Sequence, residues 1–153
     1  MSNAGRRLVL FFATGCGSGY VPVMPGTAGT AAGVVLFFIL SPLSLSLYLL
    51  TTTAFIFISI WIAHQAALCL QVKDPAQIVI DEIAGYLVTM ASFPFTWQYA
   101  AAGFVLFRVF DIIKPFPAGW IDRKVAGGYG IVLDDVAAGI YANIVLQIFR
   151  LMV

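Results

Sequence analysis

Seven carboxylates stand in this chain, and six of them fall at Asp81-Glu82, Asp111, Asp122 and Asp134-Asp135. The seventh, Asp74, sits in Lys73-Asp74-Pro75, where Asp-Pro turn chemistry accounts for it as a solvated loop residue. Arg108, Lys114, Arg123 and Lys124 lie among the six. Many carboxylates with a single histidine and no metal-spaced cysteines select a hard cation. Magnesium takes oxygen ligands and keeps water or substrate phosphate in its shell, whereas zinc wants nitrogen and sulfur. The interleaved cations then have an obvious partner in phosphate oxygens.

Each cluster has a plainer explanation. Arg108, Asp111 and Lys114 are spaced by three, so they share one helical face and make a simple ion-pair ladder. Asp134 suits a helix N-cap, with Asp135 in the first turn, but capping explains only one of the two. Ionisable groups beside long apolar runs are expensive and usually face an interior site. That cost favours function over a solvated surface for this set.

Two further segments bear on chemistry. The run from Gly15 to Thr30 is rich in glycine, which lets a backbone approach a ligand closely. Within it, Gly26-Thr27-Ala28-Gly29-Thr30 opens an apolar helix, and helix N-termini bind anions. Gly26, Thr27 and Thr30 are therefore candidate substrate contacts; small-residue packing between helices explains the same motif equally well. It is not a P-loop, because no Gly-Lys-Ser/Thr follows. Nor is it a cysteine phosphatase loop, because Pro22 stands where the arginine belongs. His64, the one histidine, is a candidate for proton transfer. Its plain alternative is a hydrogen bond to a neighbouring helix. Gly127-Gly128-Tyr129-Gly130 reads as a turn, a mobile lid or an approach point for a headgroup.

The elements that position these residues follow from where charge is missing. No Lys, Arg, Asp or Glu occurs from Leu8 to Val72, from Ile83 to Phe107, or from Val136 to Phe149. The chain of 153 residues is 61% hydrophobic and 10% charged, too little polar surface to cover a water-soluble globule. A bilayer core needs roughly 20 apolar residues as a helix. Ser41-Pro42 divides the first blank and the Phe93–Gln98 segment divides the second. The expected fold is all-α: a multi-pass membrane helical bundle of about five helices, near 27–41, 44–70, 76–93, 98–114 and 134–152. The first is short. Residues 118–125 read as a short amphipathic interfacial helix with Trp120, Ile121 and Val125 toward lipid.

Five passes place every formal charge except Arg150 on one face, and Arg150 can snorkel from a helix end. The positive-inside rule makes that face cytoplasmic. Met1 to Ala4 carries no weight, and the apolar character continues too far past Arg6-Arg7 for a cleaved signal peptide. Cys16 and Cys69 give no disulfide framework and read as reduced small hydrophobes. The net charge of +1, with no basic stripe, speaks against nucleic acid. The whole of 1–153 reads as one domain.

In order along the chain stand Gly17-Ser18-Gly19, Pro25-Gly26-Thr27-Ala28-Gly29-Thr30, His64-Gln65 and Asp81-Glu82-Ile83-Ala84-Gly85. They are followed by the run Phe107 to Pro117, by Asp122-Arg123, and by the run Gly127 to Gly139. In that order and spacing the chain resembles the phosphatidylglycerophosphatase A lipid phosphatases, over about residues 15 to 145. The resemblance implies a magnesium-dependent phosphatase at the bacterial inner membrane. Its phospholipid substrate would be phosphatidylglycerophosphate, and its products phosphatidylglycerol and phosphate. It makes Asp81, Glu82, Asp111, Asp134 and Asp135 the candidate metal and catalytic groups. Arg108, Lys114 and Arg123 would bind phosphoryl oxygens. Water activated by the metal is the expected nucleophile. An acyl-phosphate on Asp111 is the alternative.

Three rivals are weighed against this expectation. A phosphatidyl-alcohol transferase would carry an Asp-Gly…Ala-Arg signature, which is absent. A small cation transporter would hold its carboxylates mid-helix along a path. A purely structural membrane subunit leaves the clustered acids unexplained.

Overall fold

The computed structural model describes residues 2–72 and 75–152. Lys73 and Asp74, the turn expected to be solvated, lie outside the described residues. Among these residues there are seven α-helices and no strand: α1 (Asn3–Ala13), α2 (Pro25–Leu40), α3 (Leu45–Leu70), α4 (Ile80–Thr89), α5 (Trp97–Ile113), α6 (Ala118–Lys124) and α7 (Gly127–Met152). A 3-10 turn, Ser18–Tyr20, joins α1 to α2. The all-helical expectation holds. The count of about five does not, because α1 forms ahead of the first expected helix; the short helix expected at 118–125 is present as α6, beside the five.

Local chemistry sets most of the ends. Pro25 opens α2, where its missing N–H costs nothing. The Ser44 and Thr96 side chains cap α3 and α5 by accepting from Leu47 N and Tyr99 N. Lys114 closes α5 in the left-handed region (φ 47°), and Pro115 and Pro117 stop the helix from resuming. Arg6 of α1 donates to the Cys69 carbonyl near the end of α3, where a cation suits the helix dipole. Cys16 is exposed in the turn after α1, and Cys69 is half-buried; neither is bonded to the other.

The helix at 76–93 is corrected most. α4 has ten residues and is about 15 Å long, half of a bilayer core. Its last carbonyls are taken by Asn143 of α7, which donates to Thr89 O at 2.8 Å and Ala91 O at 2.9 Å. A half-buried amide thus takes the place of further helical turns. Nearly every residue of α4 is buried, as expected of a helix enclosed by its neighbours. α4 lies between α2 and α7, and α7 in turn packs on α3, α5 and α6.

Glycine permits these close crossings. A Cβ on Gly139 of α7 would strike the Gly85 carbonyl of α4, and one on Gly85 would come within 2.7 Å of the Asp135 carbonyl. On the other side of α4, a Cβ on Gly29 of α2 would come within 2.6 Å of Val79, and one on Gly33 within 3.1 Å of Tyr86. Backbones that approach this closely carry their neighbouring side chains into contact. Below the crossings lies an apolar core of Phe37, Tyr86, Leu87, Met90 and Phe107, all fully buried.

α3 and α7 are each 26 residues, long and apolar enough to cross a membrane. The two ends of the bundle differ. At one end meet the starts of α2 and α4, the close of α5 and the early turns of α7, with the acids. At the other, Arg150 donates to the Ser92 carbonyl at 3.2 Å and lies over the Phe93 ring. Arg150 is thus tied to the α4–α5 turn.

Candidate active site

Four elements converge on one cavity of about 250 Å³. α4 supplies Asp81 and Glu82 from its first turn. α5 supplies Arg108 and Asp111, with Lys114 at its close. α7 supplies Asp134 and Asp135, and the start of α2 supplies Gly26. Met24, Pro25, Pro75, Ala76, Ile78 and Ile131 complete the wall. The Gly85–Gly139 crossing lies one turn deeper, and it sets the two acid pairs facing each other.

The five acids divide into two kinds. Asp81, Glu82 and Asp135 each place one carboxylate oxygen within 4.8 Å of the others. Asp81 Oδ1 and Glu82 Oε2 are buried and have no hydrogen-bond partner among the described residues. Buried carboxylates with free oxygens are costly unless a cation joins them. Oxygens at this spacing suit a small divalent cation with ligand distances of about 2.1 Å. The residues present therefore fit magnesium.

Asp111 and Asp134 instead each meet a protein cation. Arg108 Nη1 donates to Asp111 Oδ2 at 2.6 Å, one turn along the same helix. Lys114 Nζ donates to Asp134 Oδ2 at 2.6 Å and to Asp122 Oδ1 at 3.1 Å. Burial disfavours the charge on Lys114, but the Asp134 and Asp122 carboxylates more than offset it and hold the ammonium above its usual pKa. Asp134 Oδ1 and Arg108 Nε are buried with no partner among the described residues. The Arg108–Asp111–Lys114 face is thus real, but its lysine reaches across to α6 and α7 rather than back to Asp111.

The expectation that Asp134 caps a helix is corrected. α7 begins at Gly127, so both aspartates lie about two turns inside it. Gly127 to Gly130 is the first turn of that helix, not a lid. A Cβ on Gly128 would strike the Ile60 carbonyl of α3, and one on Gly130 the Val125 carbonyl. Close packing explains these glycines.

The remaining expected residues are distributed. Gly26 lies at the wall, where a Cβ would strike the Glu82 carboxylate and come within 3.0 Å of Arg108. Thr27 keeps a buried, unpartnered hydroxyl, but Thr30 spends its own on the Gly26 carbonyl at 2.8 Å. Gly15 and Gly19 brace the segment leading into α4: their added Cβ atoms would meet Ser18, Val79 and the Gln77 carbonyl. Arg123 is exposed on α6 and outside the cavity wall. His64 lines a separate cleft of about 280 Å³ with Phe57, Trp61 and Tyr129. Asp122, grouped with the clustered acids by sequence, lies outside the cavity wall but reaches Lys114; Met24, which sequence reasoning left out, lines that wall. The signal for Asp122 was its neighbourhood of Lys114 and Arg123; Met24, with a left-handed φ of 58°, gave none.

Known proteins resemble this chain over most of its length. Residues 11–150 match the protein family described as phosphatidylglycerophosphatase A. The phosphatidylglycerophosphatase A of Escherichia coli (strain K12) is 41% identical over 141 residues, covering 92% of this chain and 80% of that protein. That of Haemophilus influenzae is 40% identical over 136 residues, covering 88% and 83%. A protein of Bacteroides thetaiotaomicron, described as a putative phosphatidylinositol-3-phosphatase, is 36% identical over 151 residues, covering 94% of each chain. No solved structure matches.

Proposed function

The chain belongs to the phosphatidylglycerophosphatase A family, and from that premise we propose that it removes the terminal phosphate of phosphatidylglycerophosphate with magnesium as cofactor. The observation that carries the reading is the Asp81–Glu82–Asp135 group, with buried free oxygens, opposite Arg108 and Lys114 in one cavity. Asp81, Glu82 and Asp135 would hold magnesium, which when bound supplies charge neutralisation at phosphorus and a more acidic water.

The chain's own groups do the rest. Arg108 and Lys114 bind phosphoryl oxygens, and each is already aimed by a carboxylate. Asp111 serves as that aiming group for Arg108, which favours water over Asp111 as the nucleophile. Water attacks phosphorus and its proton passes to a cavity carboxylate; the bond from phosphorus to the glycerol oxygen breaks, and that carboxylate returns the proton to the leaving oxygen. Phosphatidylglycerol and inorganic phosphate leave. Excluding bulk water strengthens every one of these charge contacts.

The membrane reading belongs to the same proposal. The bundle sits in the bacterial inner membrane as a multi-pass protein, with the cavity on the cytoplasmic face. It is supported by the two long apolar helices and by Arg150 lying at the end of the bundle opposite the cavity acids. Apolar side chains such as Ile112, Ile113 and Phe116 are exposed beside the cavity, where a lipid headgroup would arrive.

The test is phosphate release from phosphatidylglycerophosphate in detergent micelles, with magnesium and with excess chelator. Release that needs magnesium is expected. No release in either condition from folded protein would overturn the reading. Phosphatidylinositol-3-phosphate is the comparison substrate, given the Bacteroides relative's description.

A further inference from the structure

We propose that Asp122, on the short helix α6 and outside the cavity wall, is a positioning residue that holds the Lys114 ammonium at the mouth of the site for the substrate phosphate. The inference rests on the phosphatase reading and assigns a part to a residue that reading does not use.

The turn that carries Lys114 is locked from three directions. Its N–H donates to the Phe110 carbonyl at 2.8 Å, ending α5. Its carbonyl is covered by Gly119 of α6, where a Cβ would come within 2.6 Å. Two residues on, the Phe116 carbonyl accepts from the Tyr141 hydroxyl of α7 at 2.6 Å, and that ring stacks on Phe110. On this constrained backbone the Lys114 ammonium ends between two carboxylates. Asp134 is buried and belongs to the cavity; Asp122 is partly exposed and does not.

An ammonium has three protons to donate. Asp134 and Asp122 take two, which leaves one for a phosphoryl oxygen. Asp122 also pulls from outside. Without it, the one carboxylate bonded to Lys114 among the described residues would be Asp134, whose Oδ1 is buried with no partner among them. The ammonium would then settle deeper, between the two oxygens of Asp134, and its third proton would turn from the mouth.

This makes a prediction opposite in sign to simple electrostatics. Removing a negative charge near an anion site should tighten phosphate binding. Removing a positioning residue should loosen it. In Asp122→Asn, KM for phosphatidylglycerophosphate is expected to rise about tenfold, and inhibition by inorganic phosphate to weaken by a similar factor. The kcat should fall less than about threefold, the mark of lost binding rather than lost chemistry. Asp122→Glu should recover most of the loss. In a Lys114→Gln background, Asp122→Asn should add nothing, because the residue acts through Lys114.

Unchanged or tighter phosphate inhibition in Asp122→Asn would overturn the proposal, as would a full additive effect in the Lys114→Gln background. If Lys114→Gln does not fold, the Asn and Glu variants of Asp122 decide by themselves. The phosphatase reading fails separately, through a wild-type protein that releases no phosphate. An impaired Lys114→Gln beside an unaltered Asp122→Asn sinks only the role of Asp122.

Discussion

Gly139 of α7 lies so close to Gly85 of α4 that a single added methyl on Gly139 would overlap the Gly85 carbonyl. This contact brings two helices together just below the two acid pairs. It makes the Asp81–Glu82–Asp135 spacing a property of a backbone crossing, not of the side chains alone. Gly139→Ala should push α4 from α7 and cost about 1–3 kcal/mol of stability, as overpacking does. Activity should fall further than stability, since positioning is lost first. Thermal unfolding and phosphate release on the same detergent preparation check both. A variant of full activity would show that the crossing does not set the site.

Asp135→Asn should act in opposite directions on two readouts. It removes one of three clustered carboxylates, so the metal-free protein should unfold at a higher temperature. The same change removes a ligand, so the stabilisation that magnesium gives the wild type should shrink. Phosphate release should drop on the order of 10²-fold or more. Thermal unfolding with chelator and with millimolar magnesium checks this. An undiminished magnesium shift would exclude Asp135 from the metal group.

His64→Ala should keep kcat/KM within about threefold, because the ring lies in a different cleft from the acids. Measurement across a pH series checks it. A loss of about 10²-fold, with a changed pH profile, would restore the proton-transfer role.

Arg150 and Arg123 should face opposite sides of the membrane. Single cysteines at these positions, in a background without Cys16 and Cys69, test this in intact cells. An impermeant thiol reagent should label position 150 from outside and position 123 only after lysis. Labelling of both from one side would undo the five-pass arrangement.

Much of the site was legible in the sequence, for a physical reason. Long apolar runs leave charges nowhere to go but their ends, so Asp81-Glu82, Arg108-Asp111-Lys114 and Asp134-Asp135 had to gather wherever those ends met. The i, i+3 spacing of Arg108 and Asp111 even named the partners correctly. The helical class followed from the same runs, and the Ser41-Pro42 turn from local chemistry.

The tertiary structure alone decided how the acids are shared. Whether a carboxylate faces a cation or other carboxylates depends on which helices cross and how closely, and those contacts join residues far apart in sequence. Lys114 could have paired with Asp111 along its own helix; the left-handed turn at its backbone sends it to Asp122 and Asp134 instead. α4 stops at Thr89 because Asn143, 54 positions later, takes its carbonyl. The glycines at 127, 128 and 130 read as a turn by composition, yet they begin α7, and at Gly128 the α3 backbone leaves no room for a side chain. Composition determines that charged groups must cluster; only packing determines which of them touch.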